Sequence, residues 1–383
     1  MSQRSCDVLV VGAGPAGATT ALFAARAGLD VVLVDKRRFP RDKICGDAVA
    51  RKSLSILDEL GLLERVRACS HEPIGRAVLS SPRGHEVAID LSSKEEAAPH
   101  LVCRREIFDH ALVEAAREQL LVIEGAAVVD VTRENGRVTG ATYRADGHEH
   151  AIRARVVVGA DGFDSVVARR LGHYRHDSSR WFVATRGYYR GLEVEPNTVE
   201  ARFFGDTLPG FLWVFPTGDG VANVGLGLVH RDLKRKGVRL RDVHEAVLSS
   251  PRLRDRFRRA ERIGEVHGWN LPTPDTRRVI AGDGFLLVGD AAGLVDPFSG
   301  EGIGNALVSA KVAASVIADG VRTGDMATAL ARHGRLIDFL VGRAAAHTDV
   351  VGWLTGMTAA RDSVSRKRDL LSPLTYARLL MKR

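Results

Sequence analysis

The sequence has few cysteines and no long apolar run, and both shortages restrict the class of protein. Four cysteines stand far apart in 383 residues, with no C-x-x-C pair and no zinc-like cluster, so a reduced cytoplasmic protein is expected. No run of roughly 18 consecutive apolar residues occurs, so a membrane-spanning helix is not expected. The first strand is predicted to begin by Cys6 or Asp7, which leaves no room for a signal peptide.

Aromatic residues are also scarce, at 6% of the chain, whereas basic side chains exceed acidic ones by eight. Residues 231–262 hold 12 Lys and Arg against 5 Asp and Glu, and residues 361–383 hold 7 against 2. These stretches are interpreted either as solvated helical faces or as a surface that meets a diphosphate group or anionic lipid. In the second case the cytoplasmic protein would lie peripherally on the inner membrane face. Nucleic-acid binding is not expected, because no nucleic-acid motif occurs and the basic stretches lack interleaved aromatics.

No metal site is predicted from the histidines. His173 and His176 are three residues apart, but the sequence offers no evident third ligand. Solvent-exposed histidines are therefore the expectation.

The first forty residues predict a βαβ unit. Residues 7–11 are apolar after the first position, as in a buried parallel strand. Small helix-forming residues fill positions 16–27, Gly28 closes that helix, and residues 31–34 form a second apolar strand.

A G-x-G-x-x-G pattern joins the first strand to the helix. Gly12 permits the tight turn, Gly14 lets backbone N–H groups approach a pyrophosphate, and Gly17 lets the helix pack close to the strand. Negative charge is favoured at the N-terminus of the helix, and Asp35 at the end of the second strand suits a ribose diol. The residues predicted to contact a dinucleotide here are Gly12, Gly14, Pro15, Ala16, Gly17, Asp35 and Lys36.

A second pattern, about 280 residues downstream, indicates that the dinucleotide is FAD. Residues 286–292 form an apolar strand that ends in Gly-Asp, which places Asp290 beside the ribityl chain and at the start of a helix from Ala291. Asp290 alone could be a helix N-cap, but a Gly-rich turn at 296–304 follows, and its N–H groups can face the flavin pyrimidine edge. The residues predicted to contact FAD here are Gly289, Asp290, Pro297, Gly300, Gly302 and Ile303.

The remaining segments predict a second domain interleaved with the first. Residues 53–68 and 105–119 have helical spacing, and residues 74–91 and 181–230 alternate as strands. Residues 121–158 predict a β-meander with a turn at 134–136, after which an apolar strand at 156–158 returns to the first domain. Residues 239–262 and 302–383 are predicted to be helical. The fold class is therefore α/β: a Rossmann-like FAD-binding domain interleaved with an antiparallel-sheet substrate domain, with a helical C-terminus.

These motifs resemble the FAD-dependent geranylgeranyl reductase family, within the p-hydroxybenzoate-hydroxylase-like flavoprotein superfamily. The resemblance covers most of residues 5–320, and it implies that Arg105 helps to hold FAD and that Asp161 and Gly162 lie near it. Its most specific parts are residues 39–47, 105–109, 160–165 and 289–304. The expected boundaries are 1–75, 101–180 and 268–330 for the discontinuous FAD-binding domain, 76–100 and 181–267 for the substrate-binding domain, and 331–383 for the C-terminal helical region.

The turn at residues 45–47 is the candidate catalytic segment. In the family this segment lies close to the flavin on the substrate side, so the resemblance implies that a cysteine there donates a proton or orients the substrate. Alternatively, Cys45 is a small buried residue that fits a tight turn. The candidate catalytic residues are Cys45, Gly46 and Asp47.

An aromatic strand at residues 211–216 is the candidate wall of the substrate cavity. Phe211, Trp213 and Phe215 share one strand face because side chains alternate with a period of two. The segment resembles the family's aromatic-x-Trp-x-Phe-Pro motif, with Phe211 in place of the usual Tyr and its hydroxyl. An ordinary aromatic core strand would look the same, and two departures from Trp-x-Trp-x-Ile-Pro disfavour a flavin-dependent halogenase. The predicted substrate-pocket residues are Phe211, Trp213, Phe215, Pro216 and Phe298.

The predicted activity is the reduction of C=C bonds in an isoprenoid chain by hydride transfer from reduced FAD. No second G-x-G-x-x-G occurs, so NAD(P)H would visit transiently, or an electron-donor protein would reduce the flavin. One alternative is an FAD-dependent monooxygenase that hydroxylates or epoxidises a terpenoid or aromatic molecule on the same scaffold. Another is a non-catalytic flavin- or lipid-binding protein.

Overall fold

The βαβ unit at the start of the chain is present in the computed structural model, which describes residues 4–92, 100–174, 181–208, 210–273, 278–296 and 300–340. The strands are β1 (Arg4–Val11), β2 (Val31–Asp35), β3 (Ala48–Val49), β4 (Glu72–Ile74), β5 (Arg76–Ser80), β6 (Glu86–Asp90), β7 (His100–Val102), β8 (Leu121–Glu124), β9 (Ala127–Glu134), β10 (Arg137–Ala145), β11 (His148–Gly159), β12 (Trp181–Arg190), β13 (Thr198–Arg202), β14 (Phe211–Pro216), β15 (Val221–Val229), β16 (Glu261–Pro272), β17 (Ala281–Gly282) and β18 (Phe285–Leu287). The α-helices are α1 (Pro15–Arg26), α2 (Arg51–Glu59), α3 (Leu63–Arg67), α4 (Arg105–Arg117), α5 (Val166–Arg170), α6 (His230–Lys236), α7 (Leu240–Leu248), α8 (Arg254–Phe257), α9 (Ile303–Thr323) and α10 (Met326–Leu340).

Parallel pairing dominates the larger sheet. Its central strand β1 pairs in parallel with β2 on one side and with β11 on the other, and β8 and β18 extend these two sides in parallel. Strand β2 is buried along its whole length, as expected where helices cover both faces of a sheet. The Rossmann-like half of the predicted fold class is therefore confirmed.

The meander predicted for residues 121–158 is wrong in its first strand. Strand β8 pairs in parallel with β2, because helix α4 leads into it and provides the crossover that a parallel neighbour requires. The antiparallel run β9–β10–β11 is as predicted. Its turn uses Asn135 (φ +49°) and Gly136 (φ +83°), the two left-handed positions of a tight hairpin.

A second sheet of seven strands has the order β16-β12-β15-β14-β13-β5-β6. All its pairs are antiparallel except β5 with β13. One face packs on residues from helices α6, α7 and α8, with Leu212, Val214 and Leu226 in that core. The interleaved antiparallel-sheet part of the fold class is confirmed, whereas the domain boundaries remain a prediction.

Several helical predictions need correction. Residues 53–68 form two helices, because Gly61 takes a left-handed φ of +63° between α2 and α3. The basic stretch 239–262 contains α7 and α8, but its last residues already belong to strand β16. Helices α9 and α10 confirm the helical character of residues 302–340, and residues 341–383 lie outside the described residues. Within the described chain, no helix has the length and apolar character needed to cross a membrane.

Candidate active site

A cavity of about 1250 Å³ lies between the glycine turn of the first sheet and the open face of the seven-stranded sheet. It brings together most of the residues singled out in the sequence: Gly12, Gly14, Pro15, Ala16, Asp35, Lys36, Cys45, Gly46, Arg105, Asp161, Gly162, Phe211, Trp213, Phe215, Asp290, Gly300, Gly302 and Ile303. Four others are described but do not line it: Gly17, Asp47, Pro216 and Gly289. Pro297 and Phe298 lie outside the described residues.

The three glycines of the first turn have different surroundings. A Cβ on Gly12, whose φ is +99°, would lie 2.5 Å from the Ala160 carbonyl oxygen, and one on Gly17 would lie 1.7 Å from the Gly12 oxygen. At Gly14 the nearest atom would be 3.7 Å away, on Arg41. The chain's own packing therefore requires Gly12 and Gly17, whereas the space at Gly14 fits the close approach of a pyrophosphate to the N-terminus of α1.

Asp35 holds the same turn in place. Its carboxylate accepts hydrogen bonds from the backbone N–H groups of Ala13 and Arg37, both at 2.7 Å. The side chain is buried and also lines the cavity. Ribose binding by Asp35 stays a prediction, and the structure adds a second task, which is to orient the turn.

The downstream FAD motif has a different local structure from the one predicted. Gly289 and Asp290 belong to a 3₁₀ turn that ends at Gly293, so no α-helix begins at Ala291. Left-handed φ angles of +57° at Gly289 and +72° at Gly293 stop helical propagation on both sides. Helix α9 instead supplies the N-terminus at the cavity, and the Glu301 carboxylate caps it by accepting from the Gly304 N–H at 2.8 Å.

Arg105 belongs to a buried cluster of two guanidinium groups and one carboxylate. Its Nε and Nη2 donate to the two oxygens of Asp109 at 2.6 and 2.7 Å, and Arg41 Nη1 lies 2.6 Å from the same carboxylate. Burial alone would raise the pKa of Asp109, but the two guanidinium groups hold it below its usual value. Two positive charges against one negative charge leave a net positive wall, which fits an anionic cofactor.

Asp161 presents an unsatisfied acceptor in the cavity wall. Its Oδ2 accepts from the N–H groups of Val166 and Val167 at 2.6 and 3.2 Å and so caps helix α5. Its buried Oδ1 has no hydrogen-bond partner among the described residues. A buried acceptor without a partner is unfavourable, so this atom fits a hydroxyl donor such as those of the ribose or ribityl chain.

The Cys45–Gly46 turn packs directly on the aromatic wall. A Cβ on Gly46 would lie 3.3 Å from the Phe215 ring and 3.6 Å from the Trp213 indole nitrogen. Asn223, fully buried in β15, donates to the Cys45 carbonyl at 2.8 Å and accepts from Trp213 Nε1 at 2.8 Å. Asn223 was not predicted, although a lone amide in an otherwise apolar strand is a usable signal.

Asp47 lies behind this turn, away from the cavity. It is 0% exposed, has a φ of +64°, and accepts from Tyr188 Oη at 2.6 Å and from Asn223 Nδ2 at 2.7 Å. Burial raises its pKa to about 6, and these two hydrogen bonds partly oppose the increase. In this geometry Asp47 shapes the turn and does not contact a molecule in the cavity.

The aromatic residues of β14 face the cavity as their alternation predicts. The Trp213 ring lies over Gly225, where an added Cβ would come within 2.0 Å of the indole, so Gly225 makes room for it. Pro216 is three residues after Trp213, so it lies on the opposite face of the strand and does not line the cavity. Gly225 was missed because its role depends on a neighbouring strand.

Several cations that were not assigned from the sequence also line the cavity, among them Lys43 and Arg186. Lys43 places its ammonium 3.8 Å from the Trp269 ring centroid, and burial lowers its pKa to about 8 although Asp290 opposes that change. Arg186 forms an ion pair with Asp42. Among the described residues, no group of three His, Cys, Asp or Glu side chains is arranged to hold a metal. His173 stacks on Phe285, and His176 lies outside the described residues.

Sequence comparison matches residues 5–329 to a family model described as an FAD binding domain. The menaquinone reductase of Mycobacterium tuberculosis is 32% identical over 323 residues, which cover 82% of this chain and 76% of that protein. The digeranylgeranylglycerophospholipid reductase of Methanocella arvoryzae is 32% identical over 348 residues, which cover 88% and 84%.

Solved structures with the same fold include reductase-like and halogenase proteins. A geranylgeranyl bacteriochlorophyll reductase-like protein from Thermoplasma acidophilum superposes with a TM-score of 0.80 at 27% identity, covering 90% of this chain and 85% of that one. The flavin-dependent halogenase CmlS gives a TM-score of 0.77 at 26% identity, covering 90% and 63%. The fold thus hosts more than one flavin chemistry, and the residues in the cavity have to distinguish between them.

Proposed function

Since the chain belongs to the FAD-binding-domain family of flavoproteins, and within it to the geranylgeranyl reductase family, we propose that it reduces C=C bonds of an isoprenoid chain. Menaquinone and digeranylgeranyl lipids, named for two relatives, both carry isoprenoid chains. The observation that carries the proposal is the packing of the Cys45–Gly46 turn on the aromatic wall inside the cavity that also contains the dinucleotide turn.

The apolar half of the cavity suits an isoprenoid chain. Apart from Arg186 and His267, its lining on the seven-stranded sheet consists of small, aliphatic and aromatic residues: Phe182, Ala184, Phe211, Trp213, Phe215, Gly227, Val229, Trp269 and Leu271. Burial of apolar surface stabilises such a complex by about 25 cal/mol per Å². An isolated double bond is a poor electrophile, so this wall would act by positioning it and by excluding water.

The opposite half of the cavity suits FAD, which supplies hydride when it is bound and reduced. Gly14 and the N-terminus of α1 would receive the pyrophosphate, and the Arg41–Arg105 pair would add positive charge. The unpartnered Oδ1 of Asp161 would accept from a cofactor hydroxyl. Asp290 and the N-terminus of α9 complete this half of the lining.

We assign the proton that completes reduction to the Cys45 thiol. Cys45 lines the cavity, and the hydrogen bond from Asn223 to its carbonyl fixes its backbone. The thiol would hold the proton at Sγ, and the Arg105 guanidinium, which interacts with Cys45, would stabilise the thiolate left after the proton is transferred. Asn223 and Asp47 act as positioning residues in this proposal.

The source of electrons is proposed to be NAD(P)H that visits transiently, or an electron-donor protein. A peripheral membrane contact is proposed through the basic segment 231–262. Cationic side chains there, such as Lys234 and Arg258, are exposed, although others pair locally, as Arg239 does with Asp242.

The decisive experiment is an anaerobic assay with chemically reduced protein. Geranylgeranyl diphosphate, geranylgeraniol and menaquinone are supplied in turn, and mass spectrometry follows the gain of two hydrogens per reduced bond. Fully saturated forms of the two geranylgeranyl substrates serve as matched controls, because they contain no C=C bond that could reoxidise the flavin. With menaquinone, fragmentation must locate the two hydrogens in the isoprenoid chain, because reduction of the quinone ring also adds two. A reduced product supports the proposal. Absence of reduction on every unsaturated substrate, or an oxygenated product with substrate-dependent oxygen uptake in air, would assign the chain to the monooxygenase alternative or to simple binding.

A further inference from the structure

Arg186 is a buried positive charge on the apolar wall of the cavity. It lies on β12, two residues after Ala184 and on the same cavity-facing side of the strand, and it is 3% exposed. Among the cavity-lining residues of strands β12, β14, β15 and β16, all of which are described, no other side chain is permanently charged. A buried charge that serves packing alone is unfavourable, so its presence calls for a partner.

The pairing of Arg186 with Asp42 leaves a buried donor of its guanidinium group unused. Its Nη2 donates to Asp42, while its buried Nε has no hydrogen-bond partner among the described residues. Arg105 shows the completed arrangement in the same chain, because its Nε and Nη2 both donate to the carboxylate of Asp109. An oxyanion with two available oxygens would use both donors of Arg186 where Asp42 uses one.

Asp42 is also easy to displace. Its side chain is 46% exposed, whereas that of Arg186 is 4% exposed, so a released Asp42 carboxylate would regain water. Arg186 could not, and the nearby Asp47 carboxylate, which already accepts from Tyr188 and Asn223, would offset its buried charge only in part. The guanidinium is held 4.3 Å from the Tyr188 ring centroid, which fixes its plane before any ligand arrives.

The register of the sheet places this charge next to the path proposed for the isoprenoid. Arg186 is paired with Gly225, which is paired with Trp213 on its other side. The adjacent row on the same face, two residues along, contains Ala184 and Phe211. A molecule with an acidic head and an apolar tail would therefore place its head at Arg186 and its tail along Ala184 and Phe211.

We propose that Arg186 binds an oxyanion at the head of the substrate, and that Asp42 occupies this position until the substrate displaces it. The inference rests on the proposed function, because it assumes that an isoprenoid enters the cavity. The chemical class is a phosphorylated isoprenoid, with a monophosphate or diphosphate head. Arg186 is then a specificity-determining residue, and Asp42 is a competing counter-ion.

The test compares phosphorylated and hydroxyl forms of one chain in the FAD-loaded protein. Binding of geranylgeranyl diphosphate, geranylgeranyl monophosphate and geranylgeraniol is measured by equilibrium dialysis, and kcat/KM is measured anaerobically. In Arg186→Met the preference for the phosphorylated forms should fall by roughly 10- to 100-fold, the effect of losing a charge-assisted pair. In Asp42→Asn, which removes only an exposed carboxylate, phosphorylated forms should bind several-fold more tightly.

Arg190→Met is the matched control, because Arg190 lies on the same face of β12 but is exposed and pairs with Glu261. Its preference should equal that of the wild type. Equal binding of the phosphorylated and hydroxyl forms to the wild type, or an unchanged preference in Asp42→Asn, would overturn the inference, even if Arg186→Met does not fold. Selective binding without any reduction would instead count against the proposed function alone.

Discussion

Asn223 donates its side-chain amide to the backbone carbonyl of Cys45 at 2.8 Å, across 178 positions of sequence. The bond ties strand β15 of the seven-stranded sheet to the turn that lines the cavity. The same amide nitrogen also donates to Asp47, so one buried side chain controls both ends of the candidate catalytic turn.

Replacement of Asn223 by Ala should loosen this turn. Cys45, Asp47 and Trp213 would each lose a partner in a buried environment, and the free energy of unfolding should fall by about 3 kcal/mol. Turnover should fall at least tenfold while the FAD content stays normal, because Asn223 does not line the cofactor half. Urea unfolding and the flavin absorbance ratio measure the two effects. Asn270→Ala, in the same sheet but outside the cavity lining, is the control, and equal losses in both variants would contradict the prediction.

The pH dependence of stability should carry a contribution from Asp47. Because burial raises its pKa from the usual 3.8 to about 6, the folded protein retains this proton over a range in which the unfolded chain has released it. The stability contribution is therefore highest below pH 4 and is lost as the pH rises to about 6. The free-energy loss between these limits is roughly 3 kcal/mol.

Asp47→Asn should remove that contribution, because Asn keeps an acceptor for Tyr188 and tolerates the left-handed φ of +64°. The variant should gain stability relative to the wild type between pH 4 and pH 7. Denaturant unfolding of both proteins at the two pH values measures the change. A stability difference that is the same at both would show that Asp47 does not titrate in this range.

Cys45→Ser should leave FAD bound but slow reoxidation of the reduced flavin by substrate. The hydroxyl is nearly the same size, so packing against the turn is kept, whereas it is a far weaker proton donor than a thiol. Anaerobic stopped-flow absorbance measures the rate, and Cys103→Ser, in a buried cysteine outside the cavity lining, is the comparison. Unaltered turnover in Cys45→Ser would leave Cys45 as a packing residue.

Gly14→Ala and Gly17→Ala should fail in different ways. A methyl group at Gly14 meets no protein atom closer than 3.7 Å, so the variant should fold but lose FAD affinity. At Gly17 the methyl would lie 1.7 Å from the Gly12 oxygen, so the variant should be unstable with or without FAD. Thermal unfolding with and without added FAD separates these outcomes. Full FAD occupancy in Gly14→Ala would remove the pyrophosphate from this turn.

Much of the fold could be predicted because local patterns agree with the tertiary structure. The apolar run before Gly12, the small-residue helix after it and the Asn135–Gly136 turn each specify their element within a few residues. The helix expected at Ala291 was wrong because left-handed glycines on both sides interrupt it. Strand β8 was misplaced because its partner β2 is about ninety residues distant, and no local signal records that pairing.

The candidate site divides in the same way. Residues in continuous motifs, such as Gly14 and Asp290, were found, and the structure brings them to one cavity. Asn223, Arg186 and Gly225 were missed, because each acts across strands and none belongs to a recognised motif. The orientation of Asp47 away from the cavity also depended on its buried contact with Tyr188.

The segment between β2 and β3 is anchored on both sides. Arg41 ties it to Asp109 of helix α4, while Asp42 and Cys45 tie it to Arg186 and Asn223 of the seven-stranded sheet. If one layer shifted relative to the other, this segment would have to move with one of them, and its contacts with the other layer would break. The position of the Cys45 thiol would therefore depend on the spacing between the two layers.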